Sequence, residues 1–221
     1  MLLDRILSPE TVFIDCGANI GYWSVYTRQY LPPGRIVAIE AYPATYEQLT
    51  QNAILNGGFQ CLLAAVSDSD GERVWLDGTC HSTMSILGDQ VEPSDHGAWV
   101  NTITLDHIFH TCLQPDTGRI VLKLDVEGCE IRALSKAQDI LKCKPLIIYE
   151  DHGKEVDCRN SQYIREVLGY VIYYWDRPQG MREVDLETIR KIKRSRRVGY
   201  NFFACHPEAD FCLEILVDFN R

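Results

Sequence analysis

The stretch Thr11-Val12-Phe13-Ile14-Asp15-Cys16-Gly17-Ala18-Asn19-Ile20-Gly21-Tyr22 constrains the fold more than any other part of the chain. An apolar run ends in an acid, passes through a glycine-punctuated turn and enters a segment able to start a helix. A strand feeding a helix through such a turn brings backbone N–H groups and a helix N-terminus to one spot. Glycine permits positive φ and lets a ligand come close, so a bulky side chain at Gly17 is expected to fill the space where a ligand meets the backbone. The spacing Asp-x-Gly-x-Asn-x-Gly is not the Gly-x-Gly-x-x-Gly of a dinucleotide fingerprint. A carboxylate at the strand tip would repel a pyrophosphate but suits a ligand carrying an ammonium or sulfonium cation. Taken alone, the stretch fits an ordinary strand–helix turn equally well.

The alternation continues downstream. Ile20 to Leu31 reads as a helix ended by Pro32-Pro33-Gly34, and Arg35 to Glu40 as a second strand with an acid at its tip. Pro43 suits the first turn of a helix whose apolar positions Tyr46, Leu49, Ala53 and Ile54 share one face. Gln60 to Val66 is a third strand, giving the βαβαβ order of a parallel sheet covered by helices. Arg73 to Leu76 is a candidate added strand, and Gly78 to Trp99 is long, polar and aperiodic. Thr102 to Leu105 reads as a short strand, with Asp106 as N-cap of the next helix and structural in role. Then come a strand from Arg119 to Asp125, a helix from Cys129 to Cys143 and a strand from Pro145 to Tyr149. A helix around Tyr163 to Leu168 stops at Gly169, and Tyr170 to Trp175 is another strand. Arg177 to Gly199 is a long connection, with Asn201 to Cys205 and Glu214 to Val217 as closing strands. There is no internal repeat, so residues 1–221 read as one α/β domain.

At 221 residues the chain can bury one sizeable core. No run approaches a membrane span, and Met1 to Leu7 lacks the apolar core and cleavage site of a signal peptide. Nine irregularly spaced cysteines, without a Cys-x-x-Cys pair, point to buried thiols in a reducing compartment. A cytoplasmic protein without a membrane partner is the expectation. The net charge of −9 argues against broad affinity for nucleic acid, although a local patch can override it.

In open α/β sheets, ligands lie beyond the carboxyl ends of the strands. Those ends carry Asp15, Glu40, Asp125 with Glu127, and Asp151 with His152. Glu40 lies at the distance from the glycine turn at which an acid can bond ribose hydroxyls, which serves any adenosine cofactor.

Together, Asp15-x-Gly17-x-Asn19-x-Gly21, Glu40 with Pro43, Ala65-Val66-Ser67-Asp68, Thr104-Leu105-Asp106 and Lys123-Leu124-Asp125-Val126-Glu127-Gly128-x-Glu130 resemble the FkbM family. That family belongs to the class I S-adenosylmethionine-dependent methyltransferases. The resemblance covers about residues 11 to 151. It implies a Rossmann-like, seven-stranded sheet, mostly parallel with a last antiparallel strand and helices on both faces. It also implies that Asp15 to Gly21 holds the methionine moiety of S-adenosylmethionine, Glu40 the ribose, and Ser67 and Asp68 the adenine side. Such enzymes mostly methylate hydroxyls of sugars, polyketides or other metabolites. The region after 151 matches none of the motifs named above, and acceptor choice would be encoded there.

A hydroxyl acceptor needs its proton removed by a base or a Lewis-acidic metal. The candidate catalytic residues are Asp125, Glu127 and His152, with Asp151 beside them. A divalent metal is possible but not favoured, and no metal ligands are assigned. Lys123 and Asp125 share one strand face, so a buried ion pair is the alternative for both. Arg190, Lys191, Lys193, Arg194, Arg196 and Arg197 form a basic run in an otherwise acidic chain. A solvated charged segment explains it. So does an anionic acceptor or carrier, bound chiefly by Arg194, Arg196 and Arg197 on a connection leaving the carboxyl end of the sixth strand. Two rival functions remain: an NAD-dependent oxidoreductase on the strength of Glu40, and an RNA-directed enzyme or nucleic-acid-binding module on the strength of the basic run.

Overall fold

The computed structural model describes residues 3–77, 97–113, 118–151, 157–176, 180–194 and 201–212. A short helix α1 (Leu3–Ile6) precedes β1 (Thr11–Cys16), α2 (Tyr22–Thr27), β2 (Ile36–Glu40), α3 (Pro43–Leu55) and β3 (Gln60–Leu63). The chain then forms β4 (Ala65–Val66), β5 (Arg73–Asp77), β6 (Gly97–Ile103) and α4 (Leu105–Cys112). Next come β7 (Arg119–Leu124), α5 (Glu130–Ser135), α6 (Gln138–Lys142) and β8 (Leu146–Glu150). The remainder is α7 (Arg159–Gln162), β9 (Val171–Asp176), β10 (Gly180–Glu183), α8 (Leu186–Lys193) and β11 (Asn201–Cys205).

The main sheet has eight strands in the order β10-β9-β11-β8-β7-β1-β2-β3. Strands β3, β2, β1, β7 and β8 pair in parallel, and β11 runs antiparallel between β8 and β9. All of β1 is buried, as continuous apolar runs become when both faces are covered. Its side chains divide by the strand period of two. Val12, Ile14 and Cys16 join the larger core, together with Leu122, Leu124 and Tyr149 and the buried residues of α4, α5, α6 and α8. Phe13 points the other way, with Ile36, Val121 and Leu3. The strand order reverses at β1, so the position at which open α/β sheets take their ligands lies beyond the tips of β1 and β7.

Several elements differ from the sequence expectation. The third strand divides at Ala64: β3 joins the main sheet, while β4 enters a second sheet of order β4-β6-β5. The Ala64 amide donates to the Glu40 carbonyl at 3.2 Å, turning the chain at that point. The helix expected from Ile20 to Leu31 is regular only over Tyr22–Thr27. The helix expected from Cys129 to Cys143 is two helices, and the break is held by a carboxylate from elsewhere. Asp106 accepts the amides of Asp139 and Ile140, each at 3.0 Å. Asp106 is therefore structural, but it caps α6; Thr104 caps its own helix by accepting the His107 amide at 3.1 Å. Ile54, expected on the packed face of α3, is 77% exposed.

The connection between the sixth strand and the antiparallel strand is also more structured than expected. Residues Gly180–Glu183 return as β10, with Glu183 opposite Tyr173 near the start of β9. Helix α8 therefore leaves from the amino edge of the sheet, not the carboxyl edge. It crosses the face on Ile189 and Ile192 and reaches the carboxyl edge at Lys193, whose ammonium bonds Asp151 beyond β8. The strand expected over Glu214 to Val217 lies outside the described residues.

Among the described residues every cysteine is a free thiol, with Cys16, Cys129, Cys158, Cys205 and Cys212 buried. Burial pushes the Cys129 thiol up to about 11. No helix among the described residues is long and apolar enough to cross a membrane.

Leu122, at 0% exposure in the central strand, and Ile54, at 77%, make a direct test of this packing. Leu122→Ala should cost about 2–5 kcal/mol in urea unfolding, and Ile54→Ala less than about 0.5 kcal/mol.

Candidate active site at the carboxyl ends of the central strands

The turn after β1 is built from three positive-φ residues, Gly17 (75°), Asn19 (52°) and Gly21 (91°). Its amides find partners within the chain. Gly17 and Ala18 donate to the Ile39 carbonyl at 3.0 and 2.9 Å, and Gly21 to Ala18 at 2.8 Å. Asn19 donates to Glu40 Oε2 at 2.9 Å, and its own side chain accepts the Ile20 amide at 2.7 Å. The turn therefore presents a fixed surface, not a cluster of free donors. Gly17 is required for a reason the sequence did not supply. A Cβ there would lie 1.8 Å from the carbonyl oxygen of Asp125, so its neighbour is the β7 tip and not a ligand.

Glu40 closes the turn from β2. Oε2 takes the Asn19 amide and Oε1 the Tyr42 amide, both at 2.9 Å. Burial raises its pKa above the ordinary glutamate range, while the Tyr42, Asn19 and Ala41 amides pull the other way.

Beneath the turn lies a buried ion cluster. Asp15 is 0% exposed and accepts from Ser24 Oγ at 2.7 Å. Lys123 Nζ lies 3.2 Å from Asp15 Oδ1 and 3.3 Å from Asp125 Oδ2. It is also 3.4 Å from the Gly17 carbonyl. Asp15 Oδ1 accepts no well-directed hydrogen bond, so the attraction to Lys123 is chiefly one of charge. Burial works against the Lys123 ammonium, but the Asp15 and Asp125 carboxylates prevail and hold its pKa above the ordinary value. The ion-pair reading of Lys123 and Asp125 thus holds, with Asp15 as a third member.

Asp125 remains half-buried at the crevice, as does Glu127. Glu127 and Gly128 turn the chain at φ 50° and 90°. The turn is supported from inside by Glu130, which accepts the Val126 and Gly128 amides at 3.2 and 3.4 Å. Burial pushes the Glu130 carboxyl up from its ordinary value.

Asp151 is 2% exposed and committed inward. It accepts from the Ser161 amide at 3.1 Å, Ser161 Oγ at 2.5 Å and Lys193 Nζ at 2.7 Å. Lys193 is accordingly removed from the basic run, and Lys191 pairs with Glu187 at 2.7 Å. Arg194 is exposed at the end of α8, whereas His152, Arg196 and Arg197 lie outside the described residues. On the other flank, Ser67 is buried and donates to Asp68 Oδ1 at 3.1 Å. Arg132 donates to the same oxygen from Nε and Nη2 at 3.0 and 2.6 Å, and holds the Asp68 carboxyl below its ordinary range. Among the described residues no group of three or more His, Cys, Asp or Glu converges as metal ligands.

The sequence reading missed Ser24, Asn160, Ser161 and the buried role of Lys193. Glu130 was visible as part of a motif, and its place in the first turn of a helix is where a carboxylate meets free amides. Asn160 and Ser161 carry no comparable local signal.

The Methyltransferase FkbM domain profile matches residues 15–180. The chain belongs to the FkbM methyltransferase family. The FkbM domain is 39% identical over 67 residues to methyltransferase sdnD of Sordaria araneosa, covering 28% of this chain and 26% of that protein. In fold it is similar to methyltransferase FkbM from Methylobacillus flagellatus KT, at a TM-score of 0.50 and 14% identity, over 90% of this chain and 44% of that one. It is also similar to precorrin-6y C5,15-methyltransferase from Geobacter metallireducens GS-15, at a TM-score of 0.50 and 15% identity, over 93% and 84% of the two chains. The FkbM domain thus spans under half of the Sordaria and Methylobacillus proteins. These neighbours share its mostly parallel α/β sheet.

Gly17→Ala should destabilise the domain by at least about 2 kcal/mol, because positive φ and the Asp125 carbonyl both oppose a Cβ. Gly34→Ala, where a Cβ meets nothing within 4 Å, is the control for the same denaturation measurement and should be nearly neutral.

Proposed function

We propose that the FkbM domain transfers a methyl group from S-adenosylmethionine to a hydroxyl of a small metabolite, sugar or natural product. The observation that carries this reading is the bond between Glu40 and the Asn19 amide. It fixes an acid to the glycine turn at the point where the strand order reverses.

Residues of the site suit the cofactor. Glu40 keeps lone pairs for ribose hydroxyls after accepting its two backbone amides. The rigid turn from Gly17 to Gly21 would face the methionine moiety, and Asp15, buried beneath it, would act by holding that turn through Ser24 and Lys123. Ser67 and Asp68 would border the adenine; Arg132 occupies one oxygen of Asp68. When bound, S-adenosylmethionine supplies an electrophilic methyl group on a sulfonium. The chain's own contribution is to hold the acceptor in line with it and to take the hydroxyl proton. Asp125 and Glu127, half-buried on the turn after β7, are the proposed proton acceptors, with His152 as the third candidate.

Binding of S-adenosylhomocysteine, read by calorimetry, tests the cofactor half of this reading. Glu40→Ala should weaken it by about 1.5–3 kcal/mol. In the parent the ionised carboxylate is the acceptor, so affinity should fall on acidification. Because burial raises the Glu40 pKa, the fall should begin at a higher pH than for a solvated glutamate. Glu40→Gln should abolish that pH dependence. Absence of S-adenosylhomocysteine binding by the parent protein would overturn the reading.

The acceptor is proposed to be anionic. Helix α8 delivers Arg194 to the carboxyl edge of the sheet, because Lys193 is bonded to Asp151 beyond β8. Replacing Arg194, Arg196 and Arg197 by alanine should raise KM for a phosphate- or carboxylate-bearing acceptor and leave cofactor affinity unchanged. KM in the parent should rise with salt as screening weakens the attraction. An unchanged KM in the triple variant would remove the anionic acceptor.

A further inference from the structure

The turn after β7 and the end of β8 are tied to each other by α7. Asn160 Nδ2 donates to Glu130 Oε2 and to the Glu150 carbonyl, each at 3.1 Å. Glu130, 3% exposed, passes the link on through Oε1 to the amides of Val126 and Gly128. Its carboxylate is thus the inner support of the turn that carries Asp125 and Glu127. The neighbouring Ser161 holds Asp151 in the same way, through both its amide and its hydroxyl. The backbone that places these two residues is irregular. It enters α7 through Cys158 at φ 50° and continues into a π-helical turn over Tyr163–Val167. Such geometry concentrates at functional sites.

We propose that Asn160, acting through Glu130, is a positioning residue that sets the spacing between the acid-bearing turn beyond β7 and the acid-bearing end of β8 at Asp151, where the methyl acceptor is held. This rests on the methyltransferase reading above. One amide group suits the task because its two hydrogens diverge, one to a carboxylate and one to a carbonyl. Aspartate would set an acceptor against both partners. Leucine, of similar size, would leave a buried carboxylate short of a donor, and the loss would be felt at the amides that the carboxylate supports.

The test uses the whole chain and the variants Asn160→Leu and Glu130→Gln/Asn160→Asp. In Asn160→Leu, NMR hydrogen exchange at the Val126 and Gly128 amides should be about tenfold faster, with Phe13 and Ile14 in β1 unchanged. The double variant reverses donor and acceptor between these two residues, and turns the bond to the Glu150 carbonyl into a contact between two acceptors. It should return exchange at those two amides to within about threefold of the parent. S-adenosylhomocysteine affinity should stay within about twofold throughout, since the cofactor turn does not touch Asn160. Tritium transfer from methyl-labelled S-adenosylmethionine to a panel of sugars and hydroxy acids gives the kinetic readout. There Asn160→Leu should lower kcat about tenfold without raising KM for S-adenosylmethionine. Unchanged exchange at Val126 and Gly128, uniform acceleration across the sheet, or no recovery in the double variant would each overturn the proposal. A parent that fails to bind S-adenosylhomocysteine strikes the methyltransferase reading instead, and the exchange and recovery results still decide whether Asn160 ties the turn after β7 to the end of β8.

Discussion

The Lys123 ammonium sits between Asp15 and Asp125 in a site almost closed to water, and the geometry of the crevice follows from it. Two carboxylates at the ends of adjacent parallel strands would repel each other, and one of them is wholly buried. A single ammonium between them makes that placement stable, at the cost of its own desolvation. Removing one partner of such a cluster typically costs about 3–5 kcal/mol, because the remaining charge stays buried. The same ammonium lies near the Gly17 carbonyl, while Gly17 rests on the Asp125 carbonyl without room for a Cβ. Side-chain charge and backbone contact therefore fix the same two strand tips. Asp125 is the member of the cluster that still reaches the crevice.

Around this centre the supports come from progressively more distant parts of the chain. Glu40 reaches the turn from the next strand, and Glu130 holds the β7 turn from the helix that follows it. Asn160 and Lys193 bring in two helices from beyond β8. Lys193 has a further effect, since it fixes the end of a helix that crosses the sheet. The next cation along the chain, Arg194, is exposed at the same edge.

Much of this was legible in the sequence because it is local. Apolar runs ending in acids marked the central strands, since a strand buried on both faces has no room for polar alternation. The spacing from the glycine turn to Glu40 carried one long contact, and the shared strand face of Lys123 and Asp125 another. What escaped was decided by tertiary partners. The break between α5 and α6 depends on Asp106, which is distant in sequence and looked like a cap for its own helix. Ile54 has the right period to pack, but the helix face turns away from the sheet at its end. Strand β10 is a short, mixed segment, and it pairs only because β9 offers an open edge. Lys193 was indistinguishable from its neighbours in the basic run until Asp151 was seen beside it.

The small sheet offers a consequence of a different kind. Trp75 and Trp99 face each other across β5 and β6, with ring centroids 5.3 Å apart and planes inclined at 66°. At that separation and skew the two indole transitions are expected to couple, with a paired circular-dichroism band as the signature. The inner face of the same strand pair packs through Val74 and Val100 on Ala41 and Tyr42, the residues directly after Glu40. The domain thus carries a built-in chromophore pair next to the tip of β2. A band of that kind would report the order of that corner separately from the eight-stranded sheet.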